Sequence, residues 1–183
     1  MTSPHPFRVL IPNDQIRRRI RELGLAIARE YRDEPPLLVA VIEGARTFAR
    51  HLQGHLGRGA AVHEIRASSY GDGTVSSGKV EIAAAPAIDG AGRRVLLIED
   101  IVDTGRTIAA LRARFLAQGA RDCRVATLLS KPARRVVEVP LDYVGFEIPD
   151  EFVIGFGMDY AGRYREIEEV VVYDGDRAAA YGT

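Results

Sequence analysis

The chain has 183 residues, and its 25 Lys plus Arg balance its 25 Asp plus Glu, so no overall field favours nucleic acid or an anionic membrane. The single Cys123 excludes an internal disulfide and suits a reducing compartment. No segment approaches the roughly 20 apolar residues of a membrane span, and the N-terminus lacks the apolar run of a signal peptide; one cytoplasmic α/β domain over residues 1–183 is expected.

Prolines at 4, 6 and 12 predict an extended start. Asn13 or Asp14 is placed to cap a helix whose Ile16, Ile20, Leu23 and Ile27 share one side, with Arg17, Arg18, Arg19 and Arg21 as a solvated opposite face. Leu37 to Ile42 predicts a buried strand, ended by Glu43-Gly44-Ala45-Arg46 and followed by a helix bearing Phe48, Leu52 and Leu56. This strand, tight loop and helix supply a set of helix-start amides. His51 and His55 are spaced to grip a metal, but no further ligand pattern accompanies them and they read as surface residues. Ala61 to Ala67 alternates as a strand does. The Ser- and Gly-rich run from Ser68 predicts a flexible loop, and Lys79 to Ile88 predicts a returning strand.

The most informative stretch is VLLIEDIVDTGRTI, Val95 to Ile108. Val95 to Ile98 is apolar without a break, as in a parallel strand buried on both sides. A helix follows the polar residues, with Ile108, Leu111, Phe115 and Leu116 as its stripe and Gly119 at its end. The amides of Asp103, Thr104, Gly105, Arg106 and Thr107, with the two threonine hydroxyls, suit a phosphate monoester at the helix start, and Gly105 lets the backbone approach closely. Glu99 and Asp100 would repel that phosphate. They make sense facing sugar hydroxyls or Mg²⁺, which prefers oxygen ligands. A phosphate at one end and a diol or metal at the other describe a ribose 5-phosphate. An ordinary turn with an acidic helix cap is the plainer alternative, which two acids, a third acid and a T-G-x-T together disfavour.

Arg124 to Leu129 predicts another strand, ending at Ser130-Lys131-Pro132. On residue type alone Lys131 reads as surface, Phe152 as core packing, and Asp159 with Arg165 as a surface ion pair. The tail from Asp174 to Thr183 reads as frayed. Neither a G-x-x-x-x-G-K-[ST] loop nor a complete G-x-G-x-x-G fingerprint is found.

VLLIEDIVDTGRTI resembles the phosphoribosyl-pyrophosphate-binding motif of the type I phosphoribosyltransferases, and its Glu-Asp-x-x-Asp-Thr-Gly form is similar to the hypoxanthine-guanine branch. VGFEIPDEFVIGFGMDYAGRYRE, Val144 to Glu166, resembles the purine-binding end of the same enzymes. The likeness runs from about Val39 to Val172. It implies an α/β fold with a mostly parallel twisted sheet flanked by helices, a small hood from the N-terminal segment and the region after about 140, and a lid at about 68–80 in which Ser69 and Tyr70 work. It implies transfer of phosphoribosyl to N9 of hypoxanthine or guanine, giving IMP or GMP and pyrophosphate. Glu43, Gly44 and Arg165 would take pyrophosphate, with a cis peptide between Ile42 and Glu43. Lys131, Phe152, the Val153 backbone and Asp159 would form the purine end. Mg²⁺ would sit on Glu99, Asp100 and Asp159, and Asp103 would be the general acid/base at purine N7. Glu43 departs from the family's usual Lys, and Arg46 is placed to restore the positive charge. The resemblance also implies small-molecule partners, with neither nucleic acid nor membrane, and a homodimer or homotetramer. Two other activities share the fold: a donor-sensing regulator that binds nucleic acid, and an enzyme for xanthine or another 6-oxopurine.

Overall fold

The computed structural model describes residues 5–57, 60–69, 80–82 and 88–175. Tyr70 and the tail beyond 175 lie outside the described residues, and Ser69 is described by its backbone alone. The main sheet takes its strands from six segments: β2 (Leu37–Ile42), β3 (Val62–Ser69), β4 (Val80–Ile82), β5 (Arg94–Val102), β6 (Asp122–Ser130) and β7 (Tyr143–Glu147). Their spatial order is β4-β3-β2-β5-β6-β7, and only the β3–β4 pair is antiparallel. Three helices, α1 (Asn13–Glu30), α2 (Ala45–Gln53) and α3 (Arg106–Ala117), cover it. A second, antiparallel sheet joins the two ends of the described chain, in the order β1 (Arg8–Ile11), β9 (Val170–Val172), β8 (Val153–Ile154).

The central strands are buried because alternate residues serve opposite layers. Leu38, Ala40, Leu96 and Ile98 pack with Ile16, Ile20, Ile27, Phe48 and Leu52 of α1 and α2. Leu37, Val39, Val95 and Leu97 pack on the other face with Ile108, Leu111 and Phe115 of α3. Phe7, Ile154, Tyr164, Ile167 and Val171 form a separate core beneath the small sheet.

Several expectations change. β5 does not stop at Ile98: its ladder with β6 continues through Glu99↔Thr127 to Val102↔Ser130, so both acids stand on the strand itself. α1 starts on Pro12, whose carbonyl accepts the Ile16 N–H; Asn13 lies inside the helix and makes no cap. The Asn13 side chain instead accepts from Arg17 Nε at 2.5 Å. Arg19 is not purely solvated, since it donates to the Val144 and Gly145 carbonyls at 2.8 and 3.0 Å and ties α1 to β7. Leu56 lies beyond the end of α2, and Leu116 is exposed, so the α3 stripe is narrower than its spacing suggests. His51 stacks on Phe156 with ring centroids 5.4 Å apart, and burial lowers its pKa. His55 packs against α1 at Gly24. Both histidines are therefore half-buried surface residues whose rings pack against neighbouring chain. Among the described residues no helix is long and apolar enough to cross a membrane.

Candidate active site

The carboxyl ends of β2 and β5 open into a cavity of about 430 Å³, in the range that holds small-molecule ligands. Its wall contains Glu43, Gly44, Glu99, Asp100, Asp103, Thr104, Gly105 and Thr107. Arg106, Lys131, Phe152, Val153, Asp159 and Arg165 are not in that wall.

On the β5 side, Gly105 stands at φ 83°, a left-handed conformation that turns the chain from Asp103 and Thr104 into α3. A Cβ there would also fall 2.3 Å from the Val137 carbonyl oxygen. Helix-start amides have no intrahelical partners, so this turn aims donors into the cavity. On the β2 side, the Ile42–Glu43 peptide is cis, as the resemblance implies. A Cβ on Gly44 would lie 1.7 Å from Asp100 Oδ2, so the two walls meet there with no room for a side chain.

Glu43 is not left facing an anion unneutralised. Its carboxylate accepts from Arg46 Nη1 at 2.6 Å and Arg66 Nη2 at 2.5 Å. Arg46 also grips Glu64 at 2.7 and 2.9 Å, so it is committed to two carboxylates; Arg66 is the cation that sequence reading missed.

Glu99 is buried and its pKa is pushed well above the usual carboxylate range, first by desolvation and then by Asp100 beside it. Burial raises Asp100 too, against the opposing pull of its hydrogen bonds and of Arg165. A raised folded-state pKa means the fold keeps a proton that the unfolded chain releases above about pH 4.5. Stability is thus present at low pH and is lost as pH rises from there toward the folded value. In the absence of divalent cation, Glu99→Gln should raise Tm at pH 7 by roughly 2–4 °C per kcal/mol relieved, with the gain vanishing near pH 4. Calorimetric scans in which Glu99→Gln and wild type differ by the same Tm at both pH values would remove the buried-acid argument.

The same pair offers adjacent oxygen ligands to a hard divalent cation. Among the described residues no group of three or more metal-ligating side chains is gathered, so Asp159 does not join Glu99 and Asp100 in one cluster. Asp159 instead accepts from Arg165 Nη2 at 2.7 Å and from the Gly162 amide at 2.7 Å. Arg165 Nη1 donates to the Gly157 carbonyl at 2.6 Å, and Gly157 packs on Gly44 and Thr47. This carries the closing segment to the cavity's edge.

Lys131 is buried, at 7% exposure, which overturns its surface reading. Its amide donates to the Val102 carbonyl at 3.0 Å, the last rung of the parallel β5–β6 ladder. Phe152 is 54% exposed, too much for core packing, and its ring meets Tyr160 and Tyr173 edge-on at 5.8 and 5.7 Å. Val153 is buried and pairs with Val172. Asp103 is held by Arg134 Nε at 3.0 Å, a partner 31 residues away that no local pattern announced.

A family model described as the phosphoribosyl transferase domain matches residues 11–161. The chain is 44% identical over 160 residues to the bifunctional protein TilS/HprT of Listeria monocytogenes, covering 87% of this chain but only 25% of that protein. It therefore spans about a quarter of the length of those bifunctional relatives. It is 40% identical over 165 residues to the hypoxanthine-guanine phosphoribosyltransferase of Bacillus subtilis, covering 90% of this chain and 92% of that protein. The solved structure of the hypoxanthine phosphoribosyl transferase of Trypanosoma cruzi superposes with a TM-score of 0.86 at 32% identity, over 98% of both chains.

Proposed function

Since the chain belongs to the phosphoribosyl transferase family, with that family's type I fold, we propose that it is a purine-salvage enzyme. It moves phosphoribosyl from phosphoribosyl pyrophosphate to N9 of hypoxanthine or guanine, giving IMP or GMP. The C1′–O bond to pyrophosphate breaks, the C1′–N9 bond forms, and the purine gives up one proton. The observation that carries this reading is the cavity that joins helix-start amides to a buried pair of acids.

The amides from Asp103 to Thr107 and the hydroxyls of Thr104 and Thr107 hold the 5′-phosphate. Glu99 and Asp100 face the ribose diol and would hold Mg²⁺, with Asp159 as the carboxylate for a second ion. An ion held by these carboxylates would supply positive charge to offset that of the departing pyrophosphate. Gly44 and Arg165 direct an amide and a guanidinium at the pyrophosphate, and the arginines on Glu43 offset its charge. Lys131 donates to the 6-oxo group, and Phe152 with its tyrosine neighbours offers a face to the ring. Asp103 takes the purine proton. By resemblance the segment at about 68–80, with Ser69 and Tyr70, is the lid that would keep water from the cationic sugar; Tyr70 lies outside the described residues. A free, buried Cys123, its thiol pushed up to about 12 by desolvation, suits a cytoplasmic protein. Assembly as a homodimer or homotetramer rests on the resemblance alone, and light scattering measures it.

The test mixes protein, Mg²⁺ and donor with each free base and follows ultraviolet absorbance. Hypoxanthine and guanine are consumed; adenine and orotate are not. Lys131→Gln raises KM for the base by about 10–100-fold with donor KM little changed, as loss of one charged hydrogen bond requires. Turnover of adenine or orotate instead would overturn the proposal, and turnover of xanthine alone would reassign the base.

A further inference from the structure

The chain after β6 is tied to the phosphate loop as one braced unit. Lys131 is fastened to Val102, and Pro132–Arg134 forms a 3-10 turn. The Val136 and Val137 amides both donate to the Thr104 carbonyl at 3.0 Å. Arg135 reaches back to Ser130 Oγ at 2.9 Å and lies against Gly105. From this brace Arg134 extends Nε to Asp103 Oδ1 at 3.0 Å, while its Nη1 lies 3.7 Å from Asp150 Oδ2. Asp150 stands two residues before Phe152. One guanidinium thus touches the phosphate loop, follows the buried lysine by one turn, and faces the segment that leads to the exposed aromatic ring.

We propose that Arg134 is the positioning residue of this site, holding the Asp103 carboxylate in place between the phosphate loop and the purine-binding segment. The inference rests on the reading in which Asp103 receives the purine proton. Contact through Oδ1 assigns that proton to Oδ2. Besides Arg134 from the turn, Asp150 lies behind it, Arg135 rests against Gly105, and Glu99 and Asp100 line the same cavity as Asp103. Arg134 is the one in direct contact with Asp103 among the described residues. Held on Asp103 at one end and facing Asp150 at the other, the guanidinium fixes the direction in which the Asp103 carboxylate points. Both side chains are about half exposed, at 47% and 39%, so the contact aligns the carboxylate at a modest energetic gain.

The test measures kcat and both KM values for hypoxanthine and donor in wild type, Arg134→Gln, Arg134→Lys and Asp103→Asn. Arg134→Gln is expected to lower kcat about tenfold through lost alignment, with donor KM within about twofold. Arg134→Lys recovers only part of the lost kcat, because a lone ammonium can reach Asp103 but lacks the fork that fixes its direction. A slow Asp103→Asn beside an Arg134→Gln whose kcat and both KM values match wild type overturns this inference alone. A wild-type rate in Asp103→Asn overturns the proton assignment and the inference with it.

Discussion

Asp103→Asn lowers kcat by about 10²–10⁴-fold and leaves the dissociation constant of the phosphoribosyl donor within a few-fold of wild type. The donor's phosphate is held by backbone amides and by Thr104 and Thr107, none of which the substitution touches. Asparagine keeps the size of aspartate, and its Oδ1 can still accept from Arg134, so the loop stays in place. What it loses is basicity. As N9 bonds to C1′ the purine becomes acidic, and an amide has no useful affinity for the proton that must leave. The effect therefore falls on the chemical step and not on binding, a split that single-turnover rates beside calorimetric donor affinity resolve. Equal losses in both would assign Asp103 to placing the ligand, and the base would have to be sought elsewhere in the cavity.

Why Asp103 could be named from residue order while its partner could not is a matter of range. The strand, acidic turn and helix around it are written within fourteen residues, since unbroken apolar runs and helical spacing are local signals. The same holds for Leu37–Ile42 and the loop at Glu43. Contacts across the sheet are not local. β5 runs on to Val102 because β6 is there to pair with it, which nothing in Glu99-Asp100 foretells. Residue type alone puts Lys131 at the surface, because its burial depends on β6 running beside β5 as far as Val102. Arg134 and Arg66 reach Asp103 and Glu43 across 31 and 23 residues, and each became visible only once neighbouring strands were in register. The available hint was charge: two consecutive arginines after Lys-Pro, placed by the βα order at the same edge as three acids.

Gly44→Ala should leave the fold standing and cost donor use, with kcat/KM for the donor falling about 100-fold and Tm changing by only a few degrees. The backbone at Gly44, with φ −59° and ψ −44°, is one that alanine adopts freely, so conformational strain is not the cause. Space is. The new methyl would sit 1.7 Å from Asp100 Oδ2 and 2.6 Å from its Cγ, and the only part able to yield is the carboxylate. Rotating it pulls one of the two buried acids away from the ribose and the cation while filling the gap between the cavity's walls. Such a misplacement of about 1 Å is enough for a loss of this order. Gly105→Ala would be a poorer test, because φ 83° and the Val137 carbonyl at 2.3 Å would disturb the backbone itself. Raising Mg²⁺ should recover part of the Gly44→Ala activity, since a weakened ligand can be offset by mass action. Wild-type donor kinetics in Gly44→Ala, at unchanged Tm, would show that Asp100 works equally well turned aside, and the packed contact between the β2 loop and β5 would then have no bearing on the donor.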